Sequence, residues 1–524
     1  MPRLPEMAEA LLKPAAYPDV VPGIELVQTQ MSFVFIAGDY VFKVKKTVNL
    51  GYLDYTTLEK RRFYCQREVE LNWRLCPDTY LGVLPVTRES DNSIVIGGRG
   101  TVIEYAVKMR RLPQAAMMNV LLIRNQVSPA MVTSVAQKLA QFHRQAETSA
   151  AICAFGNLDT VNQNTTENFS QTEKYVGKTI SRAKYRNIRD YTEGFIKKNS
   201  ALFNKRGTGG RIRDCHGDLH AAHICFTDGI CIYDCIEFND RFRYTDVASE
   251  VAFLAMDLDH YGRADLSRTF IKAYVAQSGD SELLRLLNFY KCYRAYVRGK
   301  VESFQLDDPY IAEDKKQNIR ESASSYFDLA HAYARSRPLL IITTGVVGTG
   351  KTTVAQALAR RLGLVVISSD VIRKQLAGVP LSQHRFEEMN TGIYSPEFSR
   401  KTYDALFSEA KQVLTEGGSV VLDAAFIRSG ERQSAKKLAA EAGADFFIVE
   451  CTLDEAVIKE RLAQRLERGS VSDGRWEILA PQQQQFEPVT EVPPANHITI
   501  NTAVPPDTLA REVEARISGN GASR

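Results

Sequence analysis

The spacing of apolar and polar residues along the chain changes at about residue 335. Beyond it, short apolar runs alternate with longer stretches in which apolar residues recur at helical spacing. The apolar runs are Leu339–Thr344, Leu364–Ser368, Ser419–Leu422, Asp445–Cys451 and His497–Ile500. Strands that alternate with helices in this way predict a parallel sheet covered on both faces.

The residues before 335 follow a different order, with strands first and helices later. Glu25–Val48 alternates apolar and polar residues and predicts a hairpin that turns at Gly38-Asp39. Further strands are predicted at Gly82–Val86, at Ser93–Lys108 and within Ile212–Phe238. The predicted helices are Thr57–Leu75, Ala130–Ala146, Gln171–Lys198, Ala248–Leu258, Ser267–Gln277 and Glu282–Gln305. We therefore expect a first domain at 1–334, a linker at 335–338 and a second domain at 339–524.

Composition narrows the class of protein. The net charge of +4 on 524 residues gives no electrostatic case for nucleic acid or an anionic membrane. No apolar run is long enough to cross a bilayer, and nine scattered cysteines predict a reducing, cytoplasmic setting. Cys225, Cys231 and Cys235 are expected to be buried thiols on or near a strand, Ile230–Cys235, with a zinc site as the alternative.

A glycine-rich loop follows the first strand of the second half. It reads Gly345-Val-Val-Gly348-Thr349-Gly350-Lys351-Thr352-Thr353 and precedes a helix-like run. The G-x-x-x-x-G-K-[ST] spacing between a strand and a helix is that of a phosphate loop. Its backbone N–H groups are expected to surround the phosphates of ATP, with Lys351 at the β- and γ-phosphates and Thr352 on Mg²⁺.

Charged residues near the ends of the later strands supply further chemistry. Asp370 and Arg373 follow the second strand and resemble the Asp-x-x-Arg that faces the acceptor in small-molecule and polynucleotide kinases. The resemblance implies that Asp370 takes a hydroxyl proton and that Arg373 binds an anionic group on the acceptor. Asp423 ends the third strand, at the expected position of a Mg²⁺ ligand. Arg461 and Arg465 lie one helical turn apart and predict a lid over the phosphates, with a solvated helix as the alternative.

The first half carries a second set of such groups. His216-Gly217-Asp218-Leu219-His220-Ala-Ala-His223 places a carboxylate on a tight loop and a potential metal ligand shortly after it, and Asp234 ends the next short strand. Transfer of a phosphoryl group from ATP uses an aspartate that orients or deprotonates the acceptor hydroxyl. It also uses ligands for the metal ions that neutralise the phosphates.

These motifs resemble the aminoglycoside phosphotransferase-like kinases, whose catalytic loop reads H-G-D-L-H-x-x-N. The resemblance implies that Asp218 is the catalytic base, that His223 takes the metal-binding Asn position and that Asp234 is the main Mg²⁺ ligand. It also implies a structural role for Asp246. Imidazole favours transition metals more than an amide oxygen does, so Mn²⁺ is an alternative to Mg²⁺ at this site.

The strand Tyr40-Val-Phe-Lys43-Val-Lys45 resembles the one that carries the ATP-phosphate lysine in these kinases. Lys43 is the first assignment and Lys45 the alternative, because residues two apart face the same side of a strand. Glu68, on the following helix, is the expected ion-pair partner.

Other polar residues of the first half have simpler interpretations. Three arginines precede the H-G-D motif in a glycine-rich stretch and predict a flexible loop; they are Arg206, Arg211 and Arg213. Three basic residues of a later helix share one face and predict a solvated surface, with an anion-binding face near the acceptor as the alternative. They are Lys291, Arg294 and Arg298. His143 is expected to pack within a helical interface.

The second half resembles the P-loop kinases grouped with gluconate kinase, chloramphenicol phosphotransferase and zeta toxin. The whole chain resembles a bacterial two-domain family with an N-terminal aminoglycoside phosphotransferase-like domain and a C-terminal AAA/zeta-toxin-like kinase domain. Asn49-Leu-Gly-Tyr-Leu-Asp54 and Tyr293-Arg-Ala-Tyr-Val-Arg-Gly-Lys300 are among the phrases that carry this resemblance. The implied fold is an α+β protein-kinase-like two-lobed domain followed by an α/β P-loop NTPase domain with a three-layer parallel sheet.

The motifs and the resemblance predict an ATP-dependent phosphotransferase with two candidate sites, each acting on a hydroxyl of a small-molecule acceptor. Two alternatives stay open. The protein could be a nucleotide-binding regulator with a degenerate kinase-like domain, or a polynucleotide 5′-kinase, as the spacing of Asp370 and Arg373 suggests. The second half lacks a strong basic-aromatic groove for nucleic acid, and no membrane partner is expected.

Overall fold

A computed structural model describes residues 4–19, 21, 23–308, 311, 313–335, 337–381, 383, 387, 391–468 and 474–521. The chain divides into two compact units. The first comprises Met1–Asp257 and Arg268–Ala323, and the second comprises Leu258–Ser267 and Ser324–Arg524. The linker at 335–338 stays a prediction, and Ser336 within it lies outside the described residues.

The secondary structure of the described residues is as follows. The strands are β1 (Ile24–Gln28), β2 (Ser32–Ala37), β3 (Tyr40–Lys45), β4 (Tyr80–Arg88), β5 (Ile94–Ile96), β6 (Thr101–Arg110), β7 (Ile212–Asp214), β8 (Ile224–Phe226), β9 (Ile230–Ile232), β10 (Tyr244–Asp246), β11 (Leu339–Thr344), β12 (Leu364–Ser368), β13 (Ser419–Asp423), β14 (Asp445–Thr452) and β15 (His497–Asn501). The helices are α1 (Glu6–Ala10), α2 (Leu58–Trp73), α3 (Met118–Ile123), α4 (Pro129–Gln145), α5 (Ala150–Cys153), α6 (Leu158–Thr172), α7 (Arg182–Lys198), α8 (Ser200–Thr208), α9 (Asp240–Arg243), α10 (Val247–His260), α11 (Ala264–Ser278), α12 (Leu287–Phe304), α13 (Glu313–Tyr333), α14 (Lys351–Leu362), α15 (Ser369–Leu376), α16 (Pro396–Thr415), α17 (Ser429–Glu441), α18 (Glu455–Arg468), α19 (Leu479–Gln485) and α20 (Pro506–Gly521). Within the described ranges, no helix combines the length and apolarity needed to cross a membrane.

The first unit contains an antiparallel sheet with the strand order β1-β2-β3-β6-β4-β5. Strands β2 and β3 form the predicted hairpin, which turns at Gly38 and Asp39, and β1 extends it by pairing along β2. Phe35, Phe42 and Val44 are buried in the core on this part of the sheet. Helices and two short two-stranded sheets, β7-β10 and β8-β9, follow this sheet, as expected for a two-lobed protein-kinase-like fold.

The single long helix predicted at Gln171–Lys198 is wrong. Helix α6 ends near its start, and Gly177 then takes a φ of +88°, which is left-handed backbone that favours glycine. The hydroxyl of Ser181 accepts the N–H of Lys184 at 3.2 Å and caps the start of α7. The turn and the new cap therefore divide the segment into two helices.

The flexible basic loop predicted before the H-G-D motif is also wrong. Arg206 lies in α8 with its guanidinium fully buried between two carboxylates. It donates to Asp246 at 2.7 Å and to Asp280 at 2.8 and 2.9 Å. Arg213 belongs to β7. A buried guanidinium needs such carboxylate partners, and these lie 40 and 74 positions away along the chain.

The cysteines also depart from expectation. Cys76 and Cys231 form a disulfide, so the prediction of a free thiol at Cys231 is wrong. The strand β9 ends at Ile232, and Cys235 therefore lies beyond it. Cys225 and Cys235 are buried free thiols, and the three predicted cysteines do not form the alternative zinc site.

The second unit contains a parallel sheet with the strand order β12-β13-β11-β14-β15. Alternate residues of β11 enter two separate cores, with Leu340 and Ile342 on one face and Leu339 and Ile341 on the other. The predicted three-layer arrangement is therefore confirmed. Strand β11 comes first along the chain but lies at the centre of the sheet, so the strand order reverses direction beside it. Folds of this kind bind ligands at such a switch point, at the carboxyl ends of the strands.

Candidate functional site

The phosphate loop connects the end of β11 to the start of α14. Gly345, Gly348 and Gly350 have φ angles of +138°, +79° and +80°. A Cβ atom at Gly345 would lie 2.6 Å from the carbonyl oxygen of Cys451, and one at Gly348 would lie 2.7 Å from a methyl carbon of Ile458. Backbone angle and available space therefore both require glycine at these two positions.

Polar side chains of this loop hydrogen-bond to its own backbone and to the end of a neighbouring strand. Lys351 Nζ and the Thr349 hydroxyl donate to the carbonyl of Val346 at 2.7 and 2.8 Å. The Thr352 hydroxyl is hydrogen-bonded to Asp423. Burial raises the pKa of Asp423 to about 6 against the effect of that hydrogen bond. A hydroxyl and a carboxylate beside a phosphate loop are oxygen ligands suited to Mg²⁺.

A cavity of about 700 Å³ opens at the carboxyl end of the parallel sheet. The structure brings together there the predicted Lys351, Thr352, Thr353, Asp370, Arg373 and Asp423. The guanidinium of Arg373 donates to the carbonyl of Ile393 at 2.6 Å and lies 4.8 Å from the ring centre of Tyr394. Arg428 and Arg475 also line this cavity and were not singled out from the sequence.

The two predicted lid arginines have different outcomes. Arg461 donates to the hydroxyl and carbonyl oxygens of Thr502 at 3.3 and 2.8 Å. Its Nη1 would lie 3.3 Å from a Cβ atom at Gly350, so its guanidinium lies beside the phosphate loop. Arg465 belongs to α18, but its side chain lies outside the described residues. The lid therefore stays a prediction.

In the first unit, Lys43 lies between two carboxylates. Its Nζ is 2.8 Å from Asp234 Oδ1 and 2.9 Å from Glu68 Oε1. Lys45 is buried behind it, 2.7 Å from Glu68 and also in contact with Glu237. Burial opposes the charge of Glu68, but Lys43 and Lys45 outweigh it and hold the pKa of this carboxyl below its usual value. Lys43, which lines a cavity, is thus better placed for a ligand than Lys45.

Helix α10 holds the H-G-D loop by its backbone. The N–H groups of His216 and Gly217 donate to one oxygen of Glu250 at 2.8 and 2.7 Å, and the N–H of Ala221 donates to Asp257 at 2.8 Å. These two acidic residues were missed from the sequence. They lie two turns apart in a helix that is mostly apolar, and that pattern was the available signal.

The buried His143 supports the same contact. Its Nε2 lies 2.7 Å from the second oxygen of Glu250, and its Nδ1 lies 2.7 Å from the hydroxyl of Tyr274. Burial alone would raise the pKa of Glu250, but the contacts with His143, His216 and the N–H of Gly217 together outweigh it and lower that pKa to about 2. His143 is therefore buried in a helical interface, as expected, and also acts on the loop through Glu250.

His223 lies between Asp218 and Asp234, and each of its ring nitrogens faces one of the two carboxylates. Asp218 Oδ2 lies 3.6 Å from His223 Nδ1, and Asp234 Oδ2 lies 3.6 Å from His223 Nε2. Nδ1 is also 2.9 Å from the carbonyl oxygen of Asp218. Because a carbonyl only accepts, Nδ1 carries the proton and Nε2 presents a lone pair towards Asp234. Burial, with the charge of His220, lowers the pKa of His223 to about 4, so the ring is neutral at pH 7.

This donor set fits a divalent cation. A ring nitrogen and a carboxylate oxygen 3.6 Å apart can share one ion at bond lengths of about 2.1 Å. Asp234 also has a φ of +63°, an unusual angle for a residue other than glycine. Such backbone is found where the surrounding structure fixes a functional side chain.

A cavity of about 950 Å³ in the first unit joins these parts. Lys43, Asp218 and Asp234 line it together with residues of α12. The solvated face predicted for α12 is wrong, because Lys291 and Arg294 are buried. Arg294 donates to the carbonyl of Gly217 at 3.1 Å and so supports the H-G-D loop as well.

Several solved structures are similar to parts of this chain. A choline/ethanolamine kinase family protein from Mesorhizobium loti aligns with 63% of this chain and 94% of its own, at 14% identity and a TM-score of 0.38. A gluconokinase from Sinorhizobium meliloti 1021 aligns with 36% of this chain and 97% of its own, at 21% identity and a TM-score of 0.25. The Mycobacterium tuberculosis APS kinase CysC, solved with AMPPNP and APS, aligns with 35% and 99%, at 21% identity and a TM-score of 0.26.

Sequence comparison covers more of the chain. Residues 340–489 match the AAA domain family. The uncharacterized protein Rv2004c of Mycobacterium tuberculosis (strain ATCC 25618 / H37Rv) is 32% identical over 462 residues, which cover 88% of this chain and 89% of that protein. The uncharacterized protein Mb2027c of Mycobacterium bovis matches to the same extent. The chain therefore belongs to the family of these mycobacterial proteins, with a protein-kinase-like first unit and a P-loop second unit.

Proposed function

We propose that the protein is an ATP-dependent phosphotransferase with two phosphoryl-transfer sites, each acting on a hydroxyl of a small-molecule acceptor. The observation that carries the proposal is the meeting of Lys43, Asp218 and Asp234 in one cavity of the first unit. Lys43 lies 191 positions from Asp234 along the chain. The second unit supports the proposal independently, because Lys351 and Asp370 line one cavity beside the phosphate loop.

In the proposed first reaction, Lys43 binds the phosphates of ATP and Asp218 accepts the proton of the acceptor hydroxyl. The hydroxyl oxygen forms a bond to the γ-phosphorus while the bond from that phosphorus to the β–γ bridging oxygen breaks, and ADP leaves. A divalent cation held by His223 and Asp234 would neutralise the charge on the phosphates. The imidazole ligand favours Mn²⁺ over Mg²⁺ at this site.

In the proposed second reaction, the phosphate loop and Lys351 bind ATP, and Thr352 and Asp423 would hold Mg²⁺. Asp370 accepts the hydroxyl proton, and Arg373 binds an anionic part of the acceptor. The bonds that form and break are those of the first reaction. We propose a cytoplasmic location for both, because both consume ATP.

The test follows label from γ-labelled ATP into a cytosolic metabolite extract. Asp218→Asn should lower transfer at the first site by about 10²-fold or more, as expected for loss of a positioned base. Lys351→Ala should remove only the transfer of the second site. Asp228→Asn and Lys411→Ala alter exposed residues outside both cavities and serve as matched controls.

One alternative has a specific observation in its favour. His223 stands where the resembling kinases have asparagine, which suits a first unit that binds nucleotide without transfer. If Asp218→Asn changes no labelled product while the first unit still binds ATP, the first unit is regulatory and the two-site proposal is wrong.

A further inference from the structure

The first cavity is lined by two cationic side chains, Arg294, which is buried, and Lys300, which is half-buried, and both hydrogen-bond only to neutral groups. Lys300 Nζ donates to the side-chain oxygens of Asn168 at 2.6 Å and Gln171 at 2.8 Å. Among the described residues, no carboxylate lies within ion-pairing distance of this ammonium. Burial lowers the pKa of Lys300 to about 8, and the charge of the nearby Glu167 offsets this effect only in part.

Arg294, one and a half turns earlier on α12, also hydrogen-bonds only to neutral groups. Its guanidinium is buried and donates to the hydroxyl and carbonyl oxygens of Ser249 and to the carbonyl of Gly217, all of them neutral. Arg298 lies between the two along the helix and forms an ion pair with Glu302 at 3.2 Å. Helix α12 thus presents cationic side chains to the cavity that contains the proposed base.

The acidic groups of the same cavity are mostly compensated. Glu167 forms an ion pair with Arg241 at 2.6 Å. Asp234 pairs with Lys43, and Asp246 pairs with Arg206, as described above. Glu173 is exposed. Among the described residues, Lys300 and Arg294 therefore form no ion pair with the acids that line the cavity with them.

A second observation points to a ligand at this place. Asn168 is 95% buried, since 5% of its surface is exposed, and its Nδ2 has no hydrogen-bond partner among the described residues. Asn164 also lines the cavity, and its buried Oδ1 likewise lacks a partner in the described chain. Buried amide groups without partners are costly, and a bound polar molecule would satisfy them.

We propose that the acceptor of the first site carries an anionic group, a carboxylate or a phosphate, received by Lys300 and Arg294, while one of its hydroxyls faces Asp218. This inference rests on the proposed phosphotransferase function and specifies its substrate class. A hydroxylated acid or a phosphorylated polyol satisfies both the cations and the unpartnered amides. A cationic acceptor would meet uncompensated positive charge and is disfavoured.

The test measures equilibrium binding to the full-length protein by calorimetry, with ADP and metal present. The probes are D-gluconate and glycerol 3-phosphate, their neutral counterparts D-glucitol and glycerol, and choline. The anionic probes should bind more tightly than the others, and the better of the two identifies the anionic group. Lys300→Gln should weaken their binding about tenfold or more, whereas Lys300→Arg, which keeps the charge, should retain most of it.

Lys197→Gln is the matched control, because this exposed lysine of the same unit does not line the cavity. The inference is overturned if neither anion binds, if glucitol, glycerol or choline binds as tightly, or if Lys300→Gln and Lys197→Gln behave alike. Transfer of label is measured on the same proteins. If anions bind in a manner that depends on Lys300 but no Asp218-dependent transfer occurs, the proposed function is wrong and the anion-binding site stands. If transfer occurs to uncharged acceptors alone, the proposed function stands and the anion-binding inference is wrong.

Discussion

Lys43 and Lys45 lie two residues apart on β3, yet their side chains differ in burial and in partners. Lys45 is fully buried with Glu68 and Glu237, whereas 18% of the Lys43 side chain is exposed to the cavity. Removal of one partner from a buried ion pair leaves an uncompensated charge. We therefore expect Lys45→Met to destabilise the first unit by on the order of 3 kcal/mol or more, and Lys43→Met to cost less stability but to abolish transfer at the first site.

The measurement uses tryptophan fluorescence during urea unfolding. The chain has two tryptophans, Trp73 in the first unit and Trp476 in the second. In a Trp476→Phe background the signal comes from the first unit alone. Equal stability losses for Lys43→Met and Lys45→Met would contradict the different roles assigned to the two lysines.

Glu250 provides a prediction for pH dependence. Its pKa falls from 4.5 to about 2 on folding, because the contacts with His143, His216 and the N–H of Gly217 together outweigh burial. A lowered carboxyl pKa contributes stability that is fully present above about pH 4.5 and is lost as the pH falls through 2. The shift corresponds to about 3 kcal/mol.

We expect Glu250→Gln to unfold at a lower urea concentration than the parent at pH 7. The difference between the two unfolding midpoints, the gap, should narrow as the pH falls to 3. The same tryptophan background reports the first unit. Glu25→Gln, which alters an exposed glutamate, is the matched control and should show no such narrowing. A gap for Glu250→Gln that stays constant between pH 7 and 3 would contradict the role assigned to its charge.

At the scale of elements, the phosphate loop depends on close approach between the end of β11 and β14. Alanine at Gly345 would bring a Cβ atom within 2.6 Å of a backbone oxygen of β14, at a φ of +138°. Backbone cannot move aside as a flexible side chain can, so the loop itself must shift. We expect Gly345→Ala to weaken ADP binding at the second site at least about tenfold, the equivalent of about 1.4 kcal/mol.

Calorimetry with ADP in a Lys43→Met background isolates the second site. Gly443→Ala is the matched control, because Gly443 also has a positive φ, +64°, but nothing lies within 4 Å of its Cβ position. It should lose about 1 kcal/mol of stability and keep its affinity for ADP. Similar affinities for the two alanine variants would show that the close approach is not required for binding.

At the scale of the whole molecule, the two candidate sites differ in how readily the sequence predicts them. The strands of the parallel sheet and the phosphate loop follow from local patterns, and their bounds agree within a residue or two. The partners of Arg206, Cys76 and Glu250 lie far away along the chain, and the tertiary fold alone selects them. The role of Lys43 was predicted through a resemblance, but its contact with Asp234 spans 191 positions.

Two separate nucleotide sites predict a binding stoichiometry for the whole chain. Calorimetric titration with a non-hydrolysable ATP analogue, in the presence of Mg²⁺ and Mn²⁺, should give about two molecules per wild-type chain. Lys351→Ala and Lys43→Met should each leave about one, because each removes the cation that approaches the phosphates at one site only. The double variant should bind none. If the wild type binds one molecule and Lys351→Ala abolishes it, the first unit is not a nucleotide site, and the cavity around Asp218 must be assigned to a different reaction.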